Sequence, residues 1–275
     1  MARAAIGLQR SLSGCIIPVD MNTLGTMALA ALLTGGISAQ WLTNKTPNVP
    51  RTADGKPNLT APAPKMADGK PDLTGIWNPN PRFLVNLAVD LKPGDVSMLP
   101  WAEAVYKERA AGLHAHEEPD ANCLPQGVPK IDTAPVPWKL IQLPGQMVIL
   151  YEAFTQFRQV FMDGRKLPED PNPTWLGYSI GHWDGDALVV ESNGFNGKAW
   201  IDQSGHPSTE QLRVTEKFRR KDFGHMEIEI TINDPGAYTK PWTAIETPTL
   251  LVDTELLEFV CSENEQDIKH MVTKK

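Results

Sequence analysis

The sequence predicts a mainly β protein whose antiparallel strands curl into a barrel or closed sandwich, with one N-terminal helix. Three observations carry this. First, from Lys139 onward short apolar segments recur at 147–152, 157–162, 178–183, 187–191, 212–220, 226–233 and 255–261. Each is bounded by Gly, Pro, Asp or Asn, the pattern of a sandwich or barrel. Second, the 275 residues include 24 Pro and 21 Gly, which interrupt helices and favour turns between strands. Third, Asp184-Gly185 separates two apolar runs, a hairpin signal because a type I′ turn needs the positive φ that Asp and Gly tolerate.

In chain order, residues 1–39 read as an export leader. The run 24–39 is apolar, too short to span a bilayer, and ends in Ser38 and Ala39 before Gln40, with Arg3 and Arg10 as a basic start; Met21 is an alternative start. An uncleaved anchor or a buried helix is the competing reading. Cleavage after Ala39 places the chain outside the cytoplasm, secreted or periplasmic, with no transmembrane span left. It also removes Cys15, leaving Cys123 and Cys261 as a candidate disulfide, or else as two buried thiols. Residues 40–67 are Pro-rich and polar and read as a lead or tether. Within it Ala-Asp-Gly-Lys-Pro-Asn-Leu-Thr at 53–60 recurs as Ala-Asp-Gly-Lys-Pro-Asp-Leu-Thr at 67–74, a clasp of Asp-Gly turns leading into a first strand at 73–77. The single β domain then covers 68–262, and 263–275 is a polar tail. The helix is expected near 99–111, with Ser97 as cap, Pro100 in the first turn and Gly112 as stop.

The second hairpin has a register set by chemistry. With Arg220 opposite Met226, Phe218 meets Ile228, Glu216 meets Ile230 and Val214 meets Ile232. The other surface pairs Arg219 with Glu227, Lys217 with Glu229 and Thr215 with Thr231. A one-residue slip would set Val and Phe against Glu and Thr. This register puts Glu216 on the apolar face, where it must be paired or protonated. Its partner is expected to be Arg158, which alternates with Val160 and Met162. The competing reading makes Glu216 a general acid or base in a barrel cavity.

The charge balance, 26 Lys and Arg against 33 Asp and Glu, has the wrong sign for a protein that wraps a phosphate backbone, so nucleic acid is excluded as a partner. No G-x-S-x-G, G-x-G-x-x-G, P-loop or H-E-x-x-H motif occurs, and no organic cofactor is evident. The polar, turn-rich segment 200–210 lies between strands and offers Asp202, His206 and Glu210 as an acid/base set, with Trp200 at its start. In extended backbone, His114 and His116 would point to one side and make half of a divalent-metal site; a solvated acidic loop is the plainer reading. Trp183, Trp200, Phe218 and Arg158 are the candidate ligand-binding residues.

Several segments resemble a family of exported proteins common in soil bacteria: Lys70 through Trp77, Cys123 through Pro129, 157–164, 177–190, 214–238 and 253–261. Members of that family often carry His where this chain has Ser208. The resemblance implies no activity. Gly75-Ile76-Trp77 also resembles the G-x-W of lipocalins, which implies a lipocalin-like (calycin) barrel. The functional expectation is binding of a small, partly apolar molecule in the cell envelope. The alternative is a cofactor-independent or metal-assisted hydrolase or lyase acting in the barrel.

Overall fold

A computed structural model describes residues 45–263. The expected leader, and the tail from 264 onward, lie outside them. The strands are β1 (Gly75–Asn78), β2 (Trp138–Leu143), β3 (Gln146–Tyr151), β4 (Gln156–Phe161), β5 (Tyr178–Asp184), β6 (Ala187–Asn193), β7 (Arg213–Arg220), β8 (Met226–Asn233), β9 (Trp242–Glu246) and β10 (Thr249–Leu251). They form one sheet in the order β10-β1-β2-β3-β4-β5-β6-β7-β8-β9, curled into a half-barrel. Every pairing is antiparallel except β4 with β5. The sheet's edge strands, β9 and β10, are consecutive in the chain. At that corner the ends meet: Met226 donates its N–H to Pro248 O at 3.1 Å and Leu250 donates to Gly224 O at 2.8 Å.

The β7–β8 register is the one the alternation selects, from Arg213 opposite Asn233 to Arg220 opposite Met226. The first hairpin is corrected in detail. Asp184 still pairs with Ala187, so the turn is Gly185-Asp186, and only Gly185 has positive φ, at 61°. That is the type II′ requirement, with Gly at the first central position.

Two short helices precede the sheet's main run: α1 (Arg82–Val85) and α2 (Pro100–Ala110). Pro100 takes the first helical position and Gly112 follows the last turn at φ 81°. The cap is Leu99 without a side-chain bond and not Ser97, which lies three residues before the first helical residue and whose carbonyl accepts from Thr239 N. Among the described residues no helix is long and apolar enough to cross a membrane.

The expected tether is folded. Its two repeats form matching clasps, Arg51 bridged to Pro57 and Lys65 to Pro71, each turning at a glycine near φ 80° (Gly55, Gly69). Gly224 N donates to Leu59 O and Phe223 N to Ala61 O, both at 2.7 Å, and Arg51 pairs with Asp253 at 2.7 Å. Among the described residues, packed structure is therefore already present at Thr46, whose N–H bonds Asp253, well before Asp68. The expected strand at 255–261 does not form: Leu257, Phe259 and Val260 are exposed. That segment is held by Leu257 N to Glu152 (3.0 Å), Thr155 Oγ1 to Phe259 O (2.9 Å) and the Cys123–Cys261 disulfide, whose Cα atoms are 5.5 Å apart.

Candidate functional site

The registers sort the chain into two ends. At one, β2–β3, β5–β6 and β7–β8 turn and the clasps pack; at the other lie α2, residues 200–206 and the β8–β9 connection. Between them the concave face is filled. Arg158 on β4 donates through Nε to Ser179 (3.0 Å), through Nη2 to Ser192 (2.8 Å), and through both terminal nitrogens to Glu216 on β7. Asp132, from the 3₁₀ turn Lys130–Thr133, sits 3.6 Å from Arg158 and accepts from Tyr151 Oη at 2.6 Å. Burial pushes the Asp132 carboxyl well above the usual range, and the Glu216 charge adds to it. Burial alone would lower the Arg158 guanidinium, but Glu216, Tyr151 and Asp132 raise it overall.

This corrects three expectations. Glu216, 0% exposed, is one half of an ion pair, so it is not an accessible acid or base; Arg158, 2% exposed, spends its donors on protein groups; Phe218 is core. The pairing of Glu216 with Arg158 is the one anticipated from the alternation.

One cleft opens at the clasp end. About 440 Å³ in volume, it is lined by Met147, Trp183 and Leu188 from the strands, by Met162 just after β4, and by Met66, Asp68 and Lys70 from the second clasp. Lys70 Nζ lies 5.9 Å from the Trp183 ring centroid and donates to Gly185 O at 3.2 Å. Gln142 holds the wall in place, accepting from Leu73 N at 2.5 Å and donating to Pro71 O at 3.3 Å. Gly181 leaves room for Met162, since a Cβ there would lie 2.5 Å from its sulfur.

At the opposite end Asp202 and His206 form a buried pair. His206 Nδ1 lies 2.6 Å from Asp202 Oδ2, which also accepts from Leu87 N at 2.8 Å, while Oδ1 accepts from Gly205 N at 3.1 Å. A carboxylate so placed only accepts, so Nδ1 carries a hydrogen and Nε2 is the ring nitrogen left for another partner. Tyr106 from α2 stacks on the imidazole at 4.3 Å, and Trp242 lies at 5.7 Å. Trp200, 4% exposed, is here too, beneath Arg109 of α2 at 4.1 Å. Comparison with protein-family models, with curated proteins and with solved structures returns no match to this chain.

Glu210 does not join this pair. It is exposed and faces a separate surface cleft with Asp170 and Arg213. His114 and His116 also depart from expectation: the backbone turns at His114 (φ 63°) into a 3₁₀ turn, Ala115–Glu117, and is not extended. His114 spends Nδ1 on Glu117 (2.8 Å) and Nε2 on Glu108 (3.2 Å). Among the described residues no three His, Cys, Asp or Glu side chains are grouped to hold a metal ion. Tyr106 and Arg109 were missed in the sequence because they lie about 100 residues before Asp202 and only the fold brings them together. A partial signal was their i, i+3 spacing on one helix face.

Proposed function

We propose that this chain binds a small, partly apolar molecule in the cell envelope, and that it does so in the cleft at the clasp end. The observation that carries the reading is the cleft itself: three methionines, two leucines and a tryptophan, with one ammonium over the indole face. Its volume falls within the range of roughly 300–1,000 Å³ typical of small-molecule sites. Methionine walls adapt to varied shapes, and Lys70 favours a ligand with an anionic head. Export rests on the leader-like residues 1–39. The lipocalin-like (calycin) relationship is part of the same proposal, supported by Gly75-Ile76-Trp77 entering β1, where Trp77 is fully buried beneath Arg220 at 5.1 Å.

The test is titration with anilinonaphthalene sulfonate, an anionic aromatic probe, read by its fluorescence. Saturable binding that weakens about tenfold or more in Trp183→Ala and in Met162→Glu is expected, since each removes apolar contact worth at least about 1.4 kcal/mol. Unchanged binding in both variants sinks the reading. A second reading, a cofactor-independent hydrolase or lyase, is favoured by one observation, His206 oriented by Asp202 with no hydrogen bond at Nε2 among the described residues.

A further inference from the structure

The face of α2 that carries Tyr106 and Arg109 lies flat on residues 200–206. The Arg109 side chain passes so close to Gly205 that a Cβ there would lie 2.3 Å from Arg109 Cβ, so only glycine admits the approach. The guanidinium rests on the Trp200 ring and donates once to protein, Nη1 to Gly205 O at 3.3 Å. Among the described residues no carboxylate lies within ion-pair distance of it. The nearby acids already have partners: Glu118 and Asp120 flank Lys130, the latter at 3.0 Å, and Glu117 holds His114 at 2.8 Å. Burial lowers the Arg109 pKa, with Glu117 and Glu118 opposing it from a distance. A half-buried guanidinium normally finds an anion, because removing it from water unpaired is costly.

Among the described residues, two further groups lack partners at the same place. His206 Nε2 makes no hydrogen bond among the described residues, and the Trp242 indole N–H is buried without an acceptor. The walls are aromatic: Tyr106, Trp200, Trp242 and Tyr238, the last 5.7 Å from Trp242. The helix over the site is lightly attached. Only Ala102 of its eleven residues is buried; its N-terminal end is tied by Leu99 N to Ala237 O (2.8 Å) and Trp101 Nε1 to Gly236 O (3.0 Å), and its C-terminal half by the Arg109 and Tyr106 side chains.

We propose that Arg109 and His206 form a second site, at the opposite end from the cleft, for a small aromatic carboxylate: Arg109 takes the carboxylate on its free edge and His206 Nε2 accepts a hydrogen bond from a hydroxyl or water at the ligand's other side. The C-terminal half of α2 swings to admit it. This gives the hydrolase or lyase reading its substrate class and does not depend on ligand binding at the clasp end.

The experiment is NMR of the full chain with labelled histidine, titrated with benzoate and 4-hydroxybenzoate and, as a neutral control, benzyl alcohol. The expected result is a saturable shift of the His206 ring signals by the two carboxylates alone. Binding weakens about tenfold or more in Arg109→Gln, the loss of one charge-assisted contact, is partly kept in Arg109→Lys, and is unchanged in Trp183→Ala. A His206 signal that none of the probes moves, or equal affinity in Arg109→Gln with its amide spectrum intact, overturns the proposal. Loss of binding in Trp183→Ala overturns it as well, because the probe then occupies the clasp-end cleft.

Discussion

Replacing Glu246 with Gln should stabilise the protein at pH 8 and remove much of a pH-dependent loss that the parent suffers. Glu246 is fully buried on β9; Oε1 accepts from Asn80 N at 2.8 Å and Oε2 has no partner. Burial pushes its pKa from the ordinary 4.5 up to about 8, against the Asn80 hydrogen bond and with a smaller push from Asp132. The folded carboxyl thus keeps its proton at pH values where the unfolded one has released it. Its contribution is whole below pH 4.5, drains as pH rises toward about 8, and stays at its low value beyond. At 1.36 kcal/mol for each pH unit of that window, the loss is at most about 5 kcal/mol. Glutamine keeps the acceptor for Asn80 and cannot ionise. Urea unfolding of both proteins at several pH values from 4.5 to 9 measures the difference. The variant should lose less stability across the window, with Asp132 supplying what slope remains. Parallel curves for parent and variant would mean that Glu246 is ionised when folded, and would refute the reasoning.

Arg158→Met should cost about 3–5 kcal/mol because it strands Glu216 beside Asp132 in the core. Adding Glu216→Leu should recover part of that loss in the same urea experiment, and no recovery would argue against the pairing as the cause. Replacing Cys123 and Cys261 together by Ser opens a loop spanning 138 residues of sequence. Loop entropy caps that cost at about 5 kcal/mol, and 2–5 kcal/mol is expected from denaturation midpoints. Gly224→Ala would drive a Cβ to 2.4 Å from Leu59 and so release the N-terminal clasps. Faster limited proteolysis within 45–72 is the expected sign, at a stability cost of about 1–3 kcal/mol.

What the sequence made legible follows from how each feature is encoded. Alternation over 213–233 specified a register because both faces had to be satisfied at once. β9 escaped notice because Pro241 and Pro248 bracket a short run whose buried member at 246 is a glutamate, and β10 because it is only three residues long. The apolar residues at 256–260 imitate a strand, yet they stay exposed beside a disulfide. The lead looked like a linker because Pro, Gly and Asp are turn residues. Here the turns repeat at a spacing that closes two clasps, and Leu59 and Ala61 give them a place to dock. Asp202 and His206 were visible as a polar i, i+4 pair in a turn-rich segment. The helix that covers them was visible as a helix, but nothing local reveals where it packs.

The strand order also sets a timetable. β1 pairs with β2 on one side and with β10 on the other, and Trp77 must wait for Leu250, about 170 residues later, before the seam closes. Contacts between residues so distant in sequence form slowly, since the entropy of closing the long loop is spent before the contacts repay it. Until residues 242–251 are available, both β1 and β8 present open edges, which are templates for pairing with other chains. A chain interrupted before residue 242 should therefore aggregate, and the interval between making β8 and β10 is when this protein is most exposed to misassociation.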